Sequence, residues 1–378
     1  MKLGFILFDY FPFGGLQRDC VKIADQCVKR GHSVTIFTRT WQGDRPAGID
    51  VELFGRSGWS NVGRNGRWLR QLNVTLPRRN LDGVVGFNKV PGLDVYYGAD
   101  PCFVARMART KPRWYRWLPR YRHFAALERS VFAPGQNTQI LLIAPGDQAV
   151  YQRIYGTEDR FHLLPPNAAR RSFSEAQRRE TRDRLRQQNG WPLTEQLALF
   201  VGSDFRRKGL DRAIQALAAL PDTTRQHVRL VILGQCQPGR FARLARQHGV
   251  ADRVHFLGGR LDAPDWMLAA DLMIHPAYSE NTGTTLVEAL AAGLPVLTTE
   301  VCGYAIHVTR AQAGVVLASP FSQEACDGAL LDLLNPDKSA QWRANALTYA
   351  ATEDLYGCHE RAADLIEQTI RRKLEKPA

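Results

Sequence analysis

Short apolar runs of strand length alternate with longer segments whose apolar residues recur every three or four positions. Lys2–Phe8 is the first apolar run. Leu16–Arg30 follows with Val21, Ala24 and Val28 at helical spacing, and Ser33–Thr38 is apolar and β-branched again. That is the signature of a strand–helix–strand unit. Val84–Phe87, Thr138–Ala144 and Phe161–Leu164 add short continuous apolar runs, as expected for strands buried on both faces of a parallel sheet. Pro165-Pro166-Asn167 and the strongly polar stretch from Arg170 to Asn189 interrupt the pattern, so the domain junction is expected there. Leu197–Val201 restarts it. Helical Leu210–Leu220, strand Arg229–Leu233, helical Phe241–His248 and strand Val254–Leu257 come next, and Leu272–His275, Thr285–Ala292, Pro295–Thr298 and Gly314–Leu317 extend the alternation. Gln323–Lys373 reads as helical. The pattern predicts an α/β chain with two doubly wound, Rossmann-like domains, residues 1–167 and 168–378, with the final helices able to pack back on the first domain.

A length of 378 residues suits two domains. No apolar stretch reaches the roughly 18–20 residues that a membrane span needs. The opening segment meets Asp9 and Pro12 early and reads as a strand rather than a signal peptide. Seven cysteines, odd in number and without a C-x-x-C pair, argue against a disulfide framework or a structural zinc site and for the cytosol.

Charge changes the picture of the first half. Of the net excess of 13 positive charges, 11 lie in residues 1–165. There Arg106, Arg109, Lys111, Arg113, Arg116, Arg120, Arg122 and Arg129 face one acid, Glu128, and are interleaved with Trp114, Tyr115, Trp117, Tyr121 and Phe124. Cations with amphipathic rings suit an anionic bilayer surface. The same residue types also suit nucleic acid, or a merely solvated basic helix.

Candidate chemistry sits at strand ends. Phe11-Pro12-Phe13-Gly14-Gly15-Leu16-Gln17-Arg18 lies between the first strand and first helix, where paired glycines admit a ligand to the backbone and the helix start offers N–H groups to an anion. No G-x-G-x-x-G is present and the second strand ends Thr38-Arg39 rather than in an acid, which argues against a dinucleotide-dependent dehydrogenase. After Leu197–Val201 comes Gly202-Ser203-Asp204-Phe205-Arg206-Arg207-Lys208-Gly209, three consecutive cations placed to neutralise a pyrophosphate. After Leu272–His275 comes Glu280-Asn-Thr-Gly-Thr-Thr-Leu-Val-Glu288. Gly283 and Thr284 open a helix there, and two carboxylates are available to hydroxyl groups. No D-x-D motif or His/Cys ligand cluster is visible, and His123, His275 and His307 stand isolated as ordinary histidines.

The E-x7-E pattern Glu280–Glu288 with Gly283, the Arg207-Lys208-Gly209 turn and the Gly14-Gly15 loop resemble the retaining, nucleotide-sugar-dependent glycosyltransferases of family four, with the GT-B fold of two domains facing across a cleft. Phe11–Asp19, Val85–Lys89, Pro91–Tyr96, Ser203–Phe205 and Val301–Tyr304 are similar to the members that add the first glucose to the inner-core heptose of lipopolysaccharide. The resemblance implies UDP-glucose as donor, a lipopolysaccharide acceptor, no metal or other cofactor, and attachment to anionic lipids at the inner face of the inner membrane rather than to nucleic acid. It implies that Arg207 and Lys208 hold the diphosphate, with Gly14, Gly15 and Thr284 beside it and Arg171 as a further candidate. Glu280 holds sugar hydroxyls and Glu288 the ribose. Asp19 and Asp100, expected on cleft-facing loops, are candidates for donor or acceptor contact, and Arg106, Arg109, Lys111, Arg113, Trp114, Arg116, Trp117, Arg120 and Arg122 for membrane contact. Two rivals remain: a family member using another nucleotide sugar or glycan, and a non-catalytic module for anionic lipid or nucleic acid.

Overall fold

The structure is a computed structural model that describes every residue except Phe13, Arg56–Gly58, Thr157–Glu158, Arg171–Ser172 and Lys376–Ala378. The chain forms two compact units: Met1–Pro165 joined by the C-terminal stretch from Gly357, and Pro166–Tyr356. The chain crosses between the units near residue 165 and again at Gly357, so that its last helix belongs to the first unit.

The first unit is built on a seven-stranded parallel sheet in the order Asp50–Leu53, Ser33–Thr38, Lys2–Ile6, Gly83–Gly86, Val95–Gly98, Gln139–Leu142 and Phe161–Leu163. Apart from their first residues, Lys2 and Gln139, the strands Lys2–Ile6, Val95–Gly98 and Gln139–Leu142 are buried, which is why they read as apolar runs. The helix Gly15–Lys29 turns Cys20, Ile23, Ala24 and Cys27 inward, and the final helix Cys358–Glu375 packs beside it with Ala362, Ala363, Ile366 and Ile370 in the same core. On the other side of the sheet, Trp68 and Leu72 of the helix Asn61–Thr75 join Val131 and Phe132 of the helix Pro119–Phe132.

The second unit carries a six-stranded parallel sheet in the order Val254–Phe256, Val228–Leu233, Gln196–Val201, Leu272–His275, Val296–Thr299 and Gly314–Leu317. Numbered along the chain, that order is the doubly wound 3-2-1-4-5-6. Its winding reverses between Gln196–Val201 and Leu272–His275, and ligands of such sheets bind outside the carboxyl ends of strands at that reversal. Core layers cover both faces.

The polar stretch 170–189, expected as an interruption, contains the helix Glu175–Gln188. Ser174 and Gln177 form a reciprocal capping box at its start, and it buries Arg178, Leu185 and Arg186. Arg186 spends its charge on Asp271 at 2.8 Å, and the aliphatic stem packs as an apolar side chain does. Helix formers, rather than linker residues, make up this segment. All seven cysteines are free.

Candidate active site

Two strand ends meet at the winding reversal of the second unit. Gln196–Val201 runs into the turn that carries Arg207 and Lys208; Leu272–His275 runs into the loop that carries Glu280. The turn lies against the neighbouring strand end because residue 209 is glycine. Its φ is +78°, and a Cβ there would stand 2.0 Å from the carbonyl oxygen of Pro276. Tyr278 N–H donates to the carbonyl of Arg207 at 2.8 Å and ties the two segments together.

This approach brings three charges into contact. Arg207 Nη1 is 3.2 Å from Glu280 Oε1, and Lys208 Nζ is 3.2 Å from Glu280 Oε2. Arg207 also donates to the carbonyl of Ser279 at 2.9 Å and leans on Asp204. Burial pushes the Glu280 carboxyl upward, but Lys208 and Arg207 outweigh it and hold the group below the ordinary glutamate value.

The loop after Glu280 is clamped in its turn. Glu280 pairs as an isolated bridge with Cys302, and Tyr304 N–H donates to the carbonyl of Thr282 at 2.7 Å. Residue 303 must be glycine here, because a Cβ would meet the Asn281 carbonyl at 2.1 Å. Gly283, at φ +84°, precedes the helix Thr284–Ala291 and leaves its first N–H groups without helical partners. Thr284 Oγ1 donates to Asn167 Oδ1 at 3.4 Å. Glu288, on the same helix, lines a mostly apolar recess with Ala169, Phe173, Pro264, Met267, Ala291 and Ala292.

The structure thus gathers Arg207, Lys208, Glu280, Gly283 and Thr284 at one end of one sheet, with Glu288 on the helix that begins there. Arg171 lies outside the described residues. The other expected residues belong to the first unit. Gly14 caps the helix that starts at Gly15, and a Cβ on it would collide with the Gln17 side chain, whereas Gly15 has open space around its Cα. Asp100 is exposed and lines a recess at the strand ends with Phe8, Asn88, Lys89, Pro101, Phe103, Arg106, Phe124 and Leu127.

Asp19 corrects the sequence-based expectation. It is not on an open loop but on the buried face of the first helix. Its Oδ2 accepts from Tyr97 Oη at 2.9 Å, and its Oδ1 lies 2.9 Å from His359 Nε2 on the C-terminal helix.

His275, expected as an ordinary histidine, is a buried one beside the site. Its side chain has no exposed surface, and its ring stacks against Phe200 with centroids 6.0 Å apart. Its Nε2 is 3.9 Å from Glu280 Oε2. Burial, reinforced by Lys208, depresses its pKa to about 3, so the ring is neutral.

The basic face of the first unit is also built differently from its sequence. Glu128, the one acid of 106–129, has no exposure. It takes Lys89 Nζ at 2.6 Å, the N–H groups of Phe103 and Val104, and Tyr155 Oη. It fixes the start of the helix Phe103–Thr110 and does not balance the surface. Arg106, Arg109, Lys111, Arg113, Arg116, Arg120, Arg122 and Arg129 are exposed and form no ion pair among the described residues, and Trp114 and Trp117 are 62% and 68% exposed. Among the described residues no helix is long and apolar enough to cross a membrane.

Two parallel-sheet units, the second with an acid and two cations at its winding reversal, define the GT-B class of transferases, and comparison with known proteins agrees. Residues 181–348 match the family "Glycosyl transferases group 1". The lipopolysaccharide glucosyltransferase WaaG of Escherichia coli (strain K12) is 45% identical over 370 residues, 97% of this chain and 98% of that protein. A D-inositol 3-phosphate glycosyltransferase of Xylanimonas cellulosilytica is 33% identical, covering 97% of this chain and 93% of its own. A crystal structure of WaaG superposes with a TM-score of 0.86 at 43% identity, covering 96% of this chain and 99% of that one. Anabaena Alr3699/HepE, solved with UDP and glucose, shares the fold at a TM-score of 0.72 and 20% identity, covering 97% of this chain and 100% of that one. The chain belongs to the group 1 glycosyltransferases and, within them, to the family of the lipopolysaccharide glucosyltransferase WaaG.

Proposed function

We propose that this protein transfers glucose from UDP-glucose to the inner-core heptose of lipopolysaccharide, with retention at the anomeric carbon and without a metal ion. The observation that carries the reading is the contact of Glu280 with Arg207 and Lys208 at the winding reversal of the second sheet. The relative that is 45% identical is named as a lipopolysaccharide glucosyltransferase, which supports both the sugar and the acceptor.

In this reading Arg207 and Lys208 hold the donor diphosphate, with Arg171 as a further cation and the N–H groups at Thr284 capping the charge. Glu280 accepts from glucose hydroxyls and Glu288 from the ribose. The anomeric carbon–oxygen bond breaks with its electron pair going to UDP, and an oxocarbenium-like centre forms. The heptose hydroxyl then bonds on the same face and passes its proton to an oxygen of the departing phosphate. Two fixed cations stabilise the charge that develops on UDP, which is the service a divalent metal gives other transferases. Asp100 and its neighbours at the strand ends of the first unit are the candidate acceptor contacts.

The acceptor is amphiphilic and phosphorylated. The unpaired cations and exposed tryptophans of 106–129 would hold the enzyme at anionic lipid on the cytoplasmic leaflet. Nucleic acid is not a partner in this reading.

The test is transfer from a panel of nucleotide sugars to heptose-terminated lipopolysaccharide, with and without EDTA, followed by NMR of the new linkage. An α-linked glucose formed from UDP-glucose at an EDTA-independent rate is expected. Transfer of another sugar would discard the donor assignment, and a β-linkage would discard retention.

A further inference from the structure

His275 is at the carboxyl end of the strand Leu272–His275, with its main chain held on both sides. Its carbonyl accepts from Thr298 Oγ1 at 3.0 Å and from Ala277 N–H at 2.9 Å. Its side chain is held only by packing. Neither ring nitrogen has a hydrogen-bond partner among the described residues, although both are buried, and Glu280 Oε2 is likewise without a hydrogen bond. Buried ring nitrogens are rarely left this way, and the nearest carboxylate oxygen, Glu280 Oε2, stands 3.9 Å from Nε2 and is held by its ion pair with Lys208.

Glu280 stands 3.2 Å from Arg207 and from Lys208, the two groups that the proposed function assigns to the diphosphate. A bound diphosphate competes for both. The carboxylate, which must face the sugar, then loses its strongest partners at the moment its position matters. His275 is a neutral donor, buried and unengaged, whose Nε2 lies 3.9 Å from Glu280 Oε2. A neutral ring protonated on Nε2 donates to Oε2 after a small turn of the carboxylate, and its stacking on Phe200 keeps the ring plane fixed.

We infer that His275 is a positioning residue for the transferred sugar, taking hold of Glu280 through Nε2 when Arg207 and Lys208 turn to the donor diphosphate. The ring has no exposed surface, so it acts through Glu280 and does not touch the substrate. The inference rests on the donor-site reading above and adds a residue that this reading does not use.

Three substitutions separate positioning from packing. His275→Phe keeps a ring against Phe200 and removes both nitrogens. His275→Gln places an amide nitrogen near the position of Nε2, and His275→Asn places one near Nδ1. Each variant is assayed for melting temperature, UDP affinity by calorimetry, the affinity of UDP-glucose relative to UDP, and kcat and KM for transfer. UDP affinity is expected to hold within about twofold in all three. Transfer by His275→Phe is expected to fall about tenfold in kcat, the size of one hydrogen bond to a charged group. The relative affinity for the sugar falls with it. His275→Gln restores both to within about threefold of wild type, and His275→Asn does not.

Wild-type kcat and sugar-dependent affinity in His275→Phe would overturn the inference, as would equal behaviour of His275→Gln and His275→Asn. If His275→Phe fails to fold, the Gln and Asn pair still decides. Failure of the donor reading shows separately: wild type itself would prefer another nucleotide sugar, and the variants are then compared on that donor. If wild type turns over none, the calorimetric ratio of UDP-sugar to UDP makes the same comparison.

Discussion

Lys208 Nζ and Glu280 Oε2 lie 3.2 Å apart, each side chain only 11% exposed, although 72 positions separate them in the chain. In the free protein an acid assigned to sugar hydroxyls and a cation assigned to phosphate neutralise each other.

The first consequence is a pH dependence of stability. The Glu280 carboxyl titrates below the ordinary glutamate value of 4.5 because Lys208 and Arg207 overcome its burial. A depressed acid contributes stability that is fully present above its unfolded pKa and lost as pH falls through its folded one. The melting temperature of the second unit is expected to fall below about pH 4.5, and Glu280→Gln should flatten that fall. An equally steep fall in the variant would assign the effect elsewhere.

Gly209→Ala tests the close approach of the two strand ends. A positive φ costs a residue with a Cβ roughly 1–2 kcal/mol, and the collision with the Pro276 carbonyl adds to it. Circular dichroism melts should show at least that loss, and transfer should fall further than the melt explains, because the turn carries Arg207 and Lys208. A variant with wild-type turnover would mean that the approach does not position the cations.

Glu128→Gln is expected to destabilise the first unit by about 3 kcal/mol, since it leaves Lys89 buried beside a neutral group. Denaturant titration measures it. A loss under about 1 kcal/mol would show that the backbone donors of Phe103 and Val104 carry the site without the ion pair.

Charge reversal at Arg113, Arg116 and Arg120 should weaken co-sedimentation with anionic vesicles by about fivefold for each cation removed, and more for each acid introduced. Binding should also fall with salt. Undiminished binding would detach the basic face from the membrane. A salt-steep affinity for nucleic acid, without vesicle binding, would point to the other anionic polymer.

Much of this was legible in the sequence, and the parts that were not share physical causes. Leu197–Val201 and Leu272–His275 announce themselves because strands buried on both faces are built almost wholly from apolar residues, His275 at the end of the second being the exception. The helix Asn61–Thr75 escaped notice because it buries only Asn65, Trp68 and Leu72 among fifteen residues. The helix Glu175–Gln188 read as a linker because its inward positions are partly arginines, Arg178 and Arg186, which donate to the carbonyl of Ala292 and to Asp271 far along the chain. Local spacing announced the acid and the cations of the site, but not their pairing. Asp19 was misplaced because its partners, Tyr97 and His359, are 78 and 340 positions away. His275 gave no signal at all, since one histidine at the end of an apolar run looks the same whether it faces a methyl group or a carboxylate.

The most direct test of the central claim is UDP release by wild type, Glu280→Ala and Lys208→Ala, from UDP-glucose and from UDP-galactose, with heptose-terminated lipopolysaccharide as acceptor. The account predicts acceptor-dependent turnover of UDP-glucose by wild type, reduced at least a hundredfold in both variants, the usual scale for losing one preorganised charge at a developing anion. Turnover in Lys208→Ala and Glu280→Ala close to that of wild type would contradict it, because the chemistry would then lie elsewhere than at this pair.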